Sequence, residues 1–167
     1  MKSMFLAALM AATSLTAAQA AAPHAIAQVN VTIGPDLQAK AKLYGQQELD
    51  TLAKELKSDV ERAIQSHGGV VPQGGQLNLV LADATPNRPT FKQLGDTPGL
   101  SMQSFGTGGA RIEGALVHAD GASEPVHYEW KESDIRQSYG QSTWGDAEWV
   151  FQQFADRVAH GEQLAQR

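Results

Sequence analysis

The 167-residue chain has no cysteine at all. That absence excludes disulfides, thiolate catalysis and cysteine zinc sites, so stability has to come from an ordinary packed core. It also removes the residue a bacterial lipoprotein acylates at its processed start. Cations are scarce too: 13 Lys and Arg stand against 18 Asp and Glu, a formal net charge of −5. Without a basic cluster the chain offers nothing to neutralise phosphates, so neither nucleic acid nor an anionic membrane is expected as a partner. Diagnostic motifs are missing as well. There is no GxSxG elbow, no HExxH and no paired-glycine nucleotide fingerprint, and no cofactor is expected. "GTGG" at residues 106–109 leads into a strand pattern and lacks the Lys and Ser/Thr of a phosphate loop.

What is present begins with the first residues. Lys2, an apolar run over residues 4–15 and the small residues before Ala20 together predict a secretory signal peptide over residues 1–20. The run is shorter than the roughly 18–20 residues needed to span a bilayer, and no later segment is more apolar. The expectation is therefore a periplasmic or secreted protein with no integral membrane segment after cleavage. Residues 21–167 are then of a size for one α+β domain.

Residues 28–33, "QVNVTI", alternate Val29, Val31 and Ile33 with polar neighbours, the period-two pattern of a half-buried strand. "GPDLQAKAKLYG" favours helix by composition but is punctuated by Gly34, Pro35 and Gly45. Over residues 47–67 the series Leu49, Leu52, Ala53, Leu56, Val60, Ala63 and Ile64 forms one stripe of an amphipathic helix, stopped by Gly68 and Gly69. "GGQLNLVLAD" gives a second strand. "RIEGALVH" and "PVHYEW" flank a turn and predict a hairpin, with Ile112 opposite Trp130, Gly114 opposite Tyr128 and Leu116 opposite Val126. A last helix over residues 146–159 shows Ala147, Val150, Phe151, Phe154 and Val158 on one face, capped by Thr143 or Asp146 and ended by Gly161. The tail beyond it is expected to fray. The predicted architecture is a two-layer α+β sandwich of about four strands with two helices on one face, in the order β-α-β-β-β-α.

Residues 85–108 form an unusually long connection, beyond the about 12–15 residues common in compact domains, and it is rich in apolar side chains. Phe91 and Phe105 from this segment, with Tyr139, Trp144 and Trp149 from the stretch before and into the last helix, are the candidate binding residues. The bland alternatives are a loop packed on the sheet and a Trp149 at the edge of the core. His118, His127, Glu113 and Glu129 raise a metal question, since imidazole and carboxylate can hold zinc, but an exposed strand edge explains them more simply. No metal site is expected.

"LNLVLADATPN", "GGARIEGALVHADG" and "TWGDAEWVFQQFA" together resemble a loose group of bacterial envelope proteins of unknown function. The resemblance implies a signal sequence followed by a small α+β domain, often in lipoproteins, and it carries no functional residue. The expected function is a periplasmic non-enzymatic protein that binds an envelope protein or a small-molecule ligand through the 85–108 loop and nearby aromatics. The alternative is a periplasmic hydrolase or metal-dependent enzyme using His118, His127 and neighbouring carboxylates.

Overall fold

A computed structural model describes residues 24–68, 70–140 and 142–165. The signal-peptide expectation and Gly69 lie outside the described residues. Four strands, β1 (Ile26–Ile33), β2 (Gly75–Thr85), β3 (Gly109–Val117) and β4 (Ser123–Lys131), form one mixed sheet in the order β1-β2-β3-β4. Strands β1 and β2 run parallel, whereas β2, β3 and β4 are antiparallel neighbours.

Two long helices, α3 (Gln46–Ser66) and α5 (Gly145–Ala159), lie on one face of the sheet. Their stripes are those the periodicity predicts: Leu49, Leu52, Leu56, Val60 and Ile64 from α3, and Ala147, Val150, Phe151, Phe154 and Val158 from α5, are all buried. They meet Leu77, Leu79, Leu81, Ile112 and Leu116, the alternate residues of the two central strands. Burial of apolar area at roughly 25 cal/mol per Å² is what holds the layers together. The fold class read from the sequence is the one observed.

Short helices fill out the connections. The ambiguous segment after β1 is helical in two pieces, α1 (Pro35–Ala39) and α2 (Ala41–Tyr44), which bury Leu37 and Tyr44. The long connection between β2 and β3 contains α4 (Phe91–Asp96). A reciprocal cap starts it: the Gln93 amide donates to Thr90 Oγ1, and the Thr90 amide donates to Gln93 Oε1. "TFKQ" was a legible sign of this turn of helix.

Three expectations need correction. The hairpin register is displaced by two residues, with Ile112 opposite Tyr128, Gly114 opposite Val126 and Ala110 opposite Trp130. Parity is kept, so the same residues face the core. The cause is the turn, whose positive-φ residue is Gly121 at 86° and whose bonds join Gly121 to His118 and His118 to Ala122. A five-residue loop therefore opens at His118 rather than Ala119. Second, Trp144 occupies the N-cap position of α5 and no side chain caps the helix. Third, the tail folds back rather than fraying as far as Ala165. Gly161 closes α5 with bonds from its own amide to Val158 and from the Glu162 amide to Arg157. Leu164 is then buried, and its carbonyl accepts from the His127 amide on the edge of β4.

Candidate functional site

One end of the sheet gathers the irregular segments. Strand β2 finishes there, β3 begins, β4 finishes and α5 starts, so the 86–108 and 132–144 connections share that end. Asp146, in the first turn of α5, is their common anchor. It is fully buried, and its carboxylate accepts from the Tyr139 amide at 2.6 Å, the Gly108 amide at 2.7 Å, Asn87 Nδ2 at 2.6 Å and Ser138 Oγ at 2.9 Å. Burial on its own pushes this carboxyl up. The bonds from Tyr139, Asn87, Gly108 and Ser138 outweigh that and hold it below the usual carboxylate range.

Asn87 adds a second tie, since the amides of Asn87 and Arg88 both reach the Thr143 carbonyl, at 2.7 and 3.4 Å. Arg88 completes the clamp: its Nε donates to the Gly140 carbonyl, its Nη1 donates to the Met102 carbonyl at 2.6 Å, and its guanidinium lies 5.7 Å from the Phe105 ring centroid. The long loop and the joint before α5 are thus one hydrogen-bonded unit.

That unit fixes Tyr139 from both sides. Its amide is held by Asp146. Its carbonyl packs so closely on Gly145 that an added methyl would overlap the oxygen, so this position requires glycine. The residue nevertheless remains 51% exposed. It stacks on Trp149 at 6.2 Å with 18° between planes, and Trp149 in turn rests on Trp130 at 4.4 Å. The three rings form a supported aromatic platform.

Beside the platform runs a groove of about 600 Å³. One wall is a stripe of α5, Gly145, Glu148, Trp149 and Gln152, at the helical spacing opposite the core stripe. The other wall is Gln137, Ser138, Tyr139 and Ser142. Glu148 is the only formally charged residue of this lining, and Ser142 Oγ donates to its Oε2 at 3.1 Å. A volume of this size lies within the roughly 300–1,000 Å³ of small-molecule sites. The crevice at the ends of β2, β3 and β4 encloses only about 30 Å³ and has room for a water at most.

The candidate residues fall into three groups. Tyr139 and Trp149 come together at the groove. Phe105, 51% exposed, stands against Gly140, next to Tyr139 in the chain, whereas Phe91 projects from α4 at 78% exposure. Trp144 belongs to the core instead. Only 5% exposed, it meets Tyr44 edge-on at 5.5 Å and donates its indole N–H to Glu48 Oε2 at 2.9 Å. Trp144 is therefore not a surface binding residue, because a helix start packed against Tyr44 of α2 and Glu48 of α3 buries the ring.

The histidines of the enzymatic alternative do not build a site with the groove. His118 lies in the β3–β4 turn, 3.6 Å from Glu124, at the opposite end of the hairpin. His127 sits across from Glu113 at the edge strand. Among the described residues no group of three or more His, Asp or Glu is placed to hold a metal ion. Sequence reasoning missed Asn87 and misread Asp146, and neither residue has a local signal for its role. No family model, curated protein or solved structure matches the chain.

Proposed function

We propose that this is an exported, periplasmic binding protein without catalytic activity, whose site is the groove beside Tyr139 and Trp149. The charged and apolar start of the sequence supports export. One observation carries the binding reading: a half-exposed tyrosine whose backbone is clamped by a buried carboxylate and whose ring stacks on Trp149, itself packed at a tilt against Trp130. Aromatic side chains held in this way bind at low entropic cost, because the ordering has already been done by the fold. The exposed Phe91, Met102, Phe105 and Ile135 on neighbouring connections extend the apolar character of this end.

The test is a small-fragment screen by two-dimensional NMR on isotope-labelled mature protein. Perturbations are expected to concentrate on the Trp149 indole N–H and the amides of residues 137–142. Hits that map instead to the surroundings of His118 and His127 would overturn the reading in favour of the enzymatic one.

A further inference from the structure

Resting on that reading of the groove, we infer that its ligand is a small organic cation, an alkylammonium compound, held between the Tyr139–Trp149 platform and the Glu148 carboxylate. The lining combines aromatic faces with a carboxylate and lacks any Lys or Arg. A ring face carries negative quadrupole density, so an ammonium group is attracted to it, most strongly where water is displaced. Neutral hydroxyls and amides from Ser142, Gln137 and Gln152 complete the walls.

The field around the groove has the same sign. Glu55 on α3 is half-buried, and its carboxyl is pushed up first by burial and then by Glu148, Asp59 and Glu48. These carboxylates are therefore near enough to feel one another. Of them, Asp59 is paired with Arg62 at 2.8 Å, and Glu48 accepts the Trp144 indole. Among the described residues the Glu148 carboxylate has only the neutral Ser142 hydroxyl as a hydrogen-bond partner. An incoming cation relieves that repulsion, which an anion would worsen and a neutral ligand would leave in place.

Other cavities carry less. The hollow beside Arg88 and Phe105 is about 200 Å³, is walled by the clamp of the long loop and has no carboxylate in its lining. The one between β1 and α3, about 480 Å³, mixes Lys54 and Lys57 with Asp50 and has no aromatic wall. His67 and His160 meet edge to face at 4.5 Å, but each ring Nδ1 already meets a backbone carbonyl of its own helix and no carboxylate among the described residues joins them.

The experiment compares choline with 3,3-dimethylbutan-1-ol, which has the same shape with carbon in place of the charged nitrogen. Both are titrated into the mature protein while the Trp149 indole N–H is followed by NMR. Choline is expected to bind saturably and at least about ten-fold more tightly than the alcohol, with affinity falling as salt is added. Glu148→Gln and Tyr139→Leu should each weaken it by about ten-fold, whereas Val117→Ala, at the far end of β3, leaves it unchanged. Thermal melts establish that each variant is folded, and Glu148→Gln alone is decisive if the tyrosine variant is not. Equal binding of the alcohol, an unchanged Glu148→Gln, or no response to choline overturns the cation inference. Fragments that still map to residues 137–142 in that case leave the binding reading standing, and their absence removes both.

Discussion

Asn87 and Asp146 hold each other by two hydrogen bonds across 59 residues of sequence: the Asp146 amide donates to Asn87 Oδ1 at 2.8 Å, and Asn87 Nδ2 donates to Asp146 Oδ2 at 2.6 Å. The pair joins the connection after β2 to the first turn of α5. Because it also positions Tyr139, the stability of this end and the shape of the groove depend on the same contact.

Asp146→Asn is accordingly expected to be costly despite its small change in size. The new NH2 group would face either the Tyr139 amide or the Gly108 and Asn87 donors, and the side it faces loses its acceptor. A buried polar group left unsatisfied costs about 1–3 kcal/mol, so a loss of about 3 kcal/mol is expected in urea denaturation. The Tyr139 amide should also lose its protection from hydrogen exchange.

Acid should act on the same residue. The folded-state pKa of Asp146 is depressed, whereas an unfolded aspartate titrates near about 3.9. The unfolded chain thus takes up the proton first, and the contribution is whole above about pH 4 and is lost as pH falls through the folded value. The urea midpoint of the natural protein should drop more steeply below pH 4 than that of Asp146→Asn. Glu55 has the opposite sign, since its folded pKa is raised. Its protonated form is favoured by folding, and that contribution is complete below about pH 4.3 and lost as pH rises through the folded value. Glu55→Gln should therefore be more stable than the natural protein at pH 7.

Two aromatic truncations on α5 separate core from platform. Phe154 is fully buried, with Tyr128 at 5.8 Å, and Phe154→Ala should cost about 3–5 kcal/mol. Trp149 is only partly buried and mainly supports Tyr139 and Trp130, contacts worth about 0.5–1.5 kcal/mol per aromatic pair beyond area. Trp149→Ala is expected to cost less than Phe154→Ala on a common denaturant scale and to abolish the groove response. Equal costs would make Trp149 a core residue.

Limited proteolysis should read the two halves of the long connection differently. Asn87 and Thr90 are buried and bonded, whereas residues 95–99 are exposed. First cuts with a nonspecific protease are expected between residues 95 and 103, with residues 84–90 protected. Initial cleavage around Asn87 would show that the clamp does not hold in solution.

The start of the mature chain is open to mass spectrometry of a periplasmic extract. Cleavage near Ala20 is expected from the sequence pattern alone. An intact chain beginning at Met1 would remove the export part of the proposed function.

The sequence by itself determined the four strands, the two long helices and their buried faces, because a helix repeats near every 3.6 residues and a strand every two, and both periods are local. Leu49 to Ile64, Val150 to Val158 and the alternating leucines of β2 needed no partner to be recognised, and parity kept the hairpin's inner face correct even with its register displaced by two. Tertiary structure alone decided what the polar and aromatic residues near α5 do. Asp146 has the chemistry of a helix cap in its own turn and becomes a buried acceptor only because Asn87 and the Gly108 amide arrive from the other connection. Trp144 and Trp149 stand five positions apart, and one turns inward to Glu48, 96 residues earlier, while the other meets Trp130 and Tyr139 at the groove. Hydrogen bonds and ring contacts between distant segments leave no periodic trace, so their geometry exists only once the chain has folded.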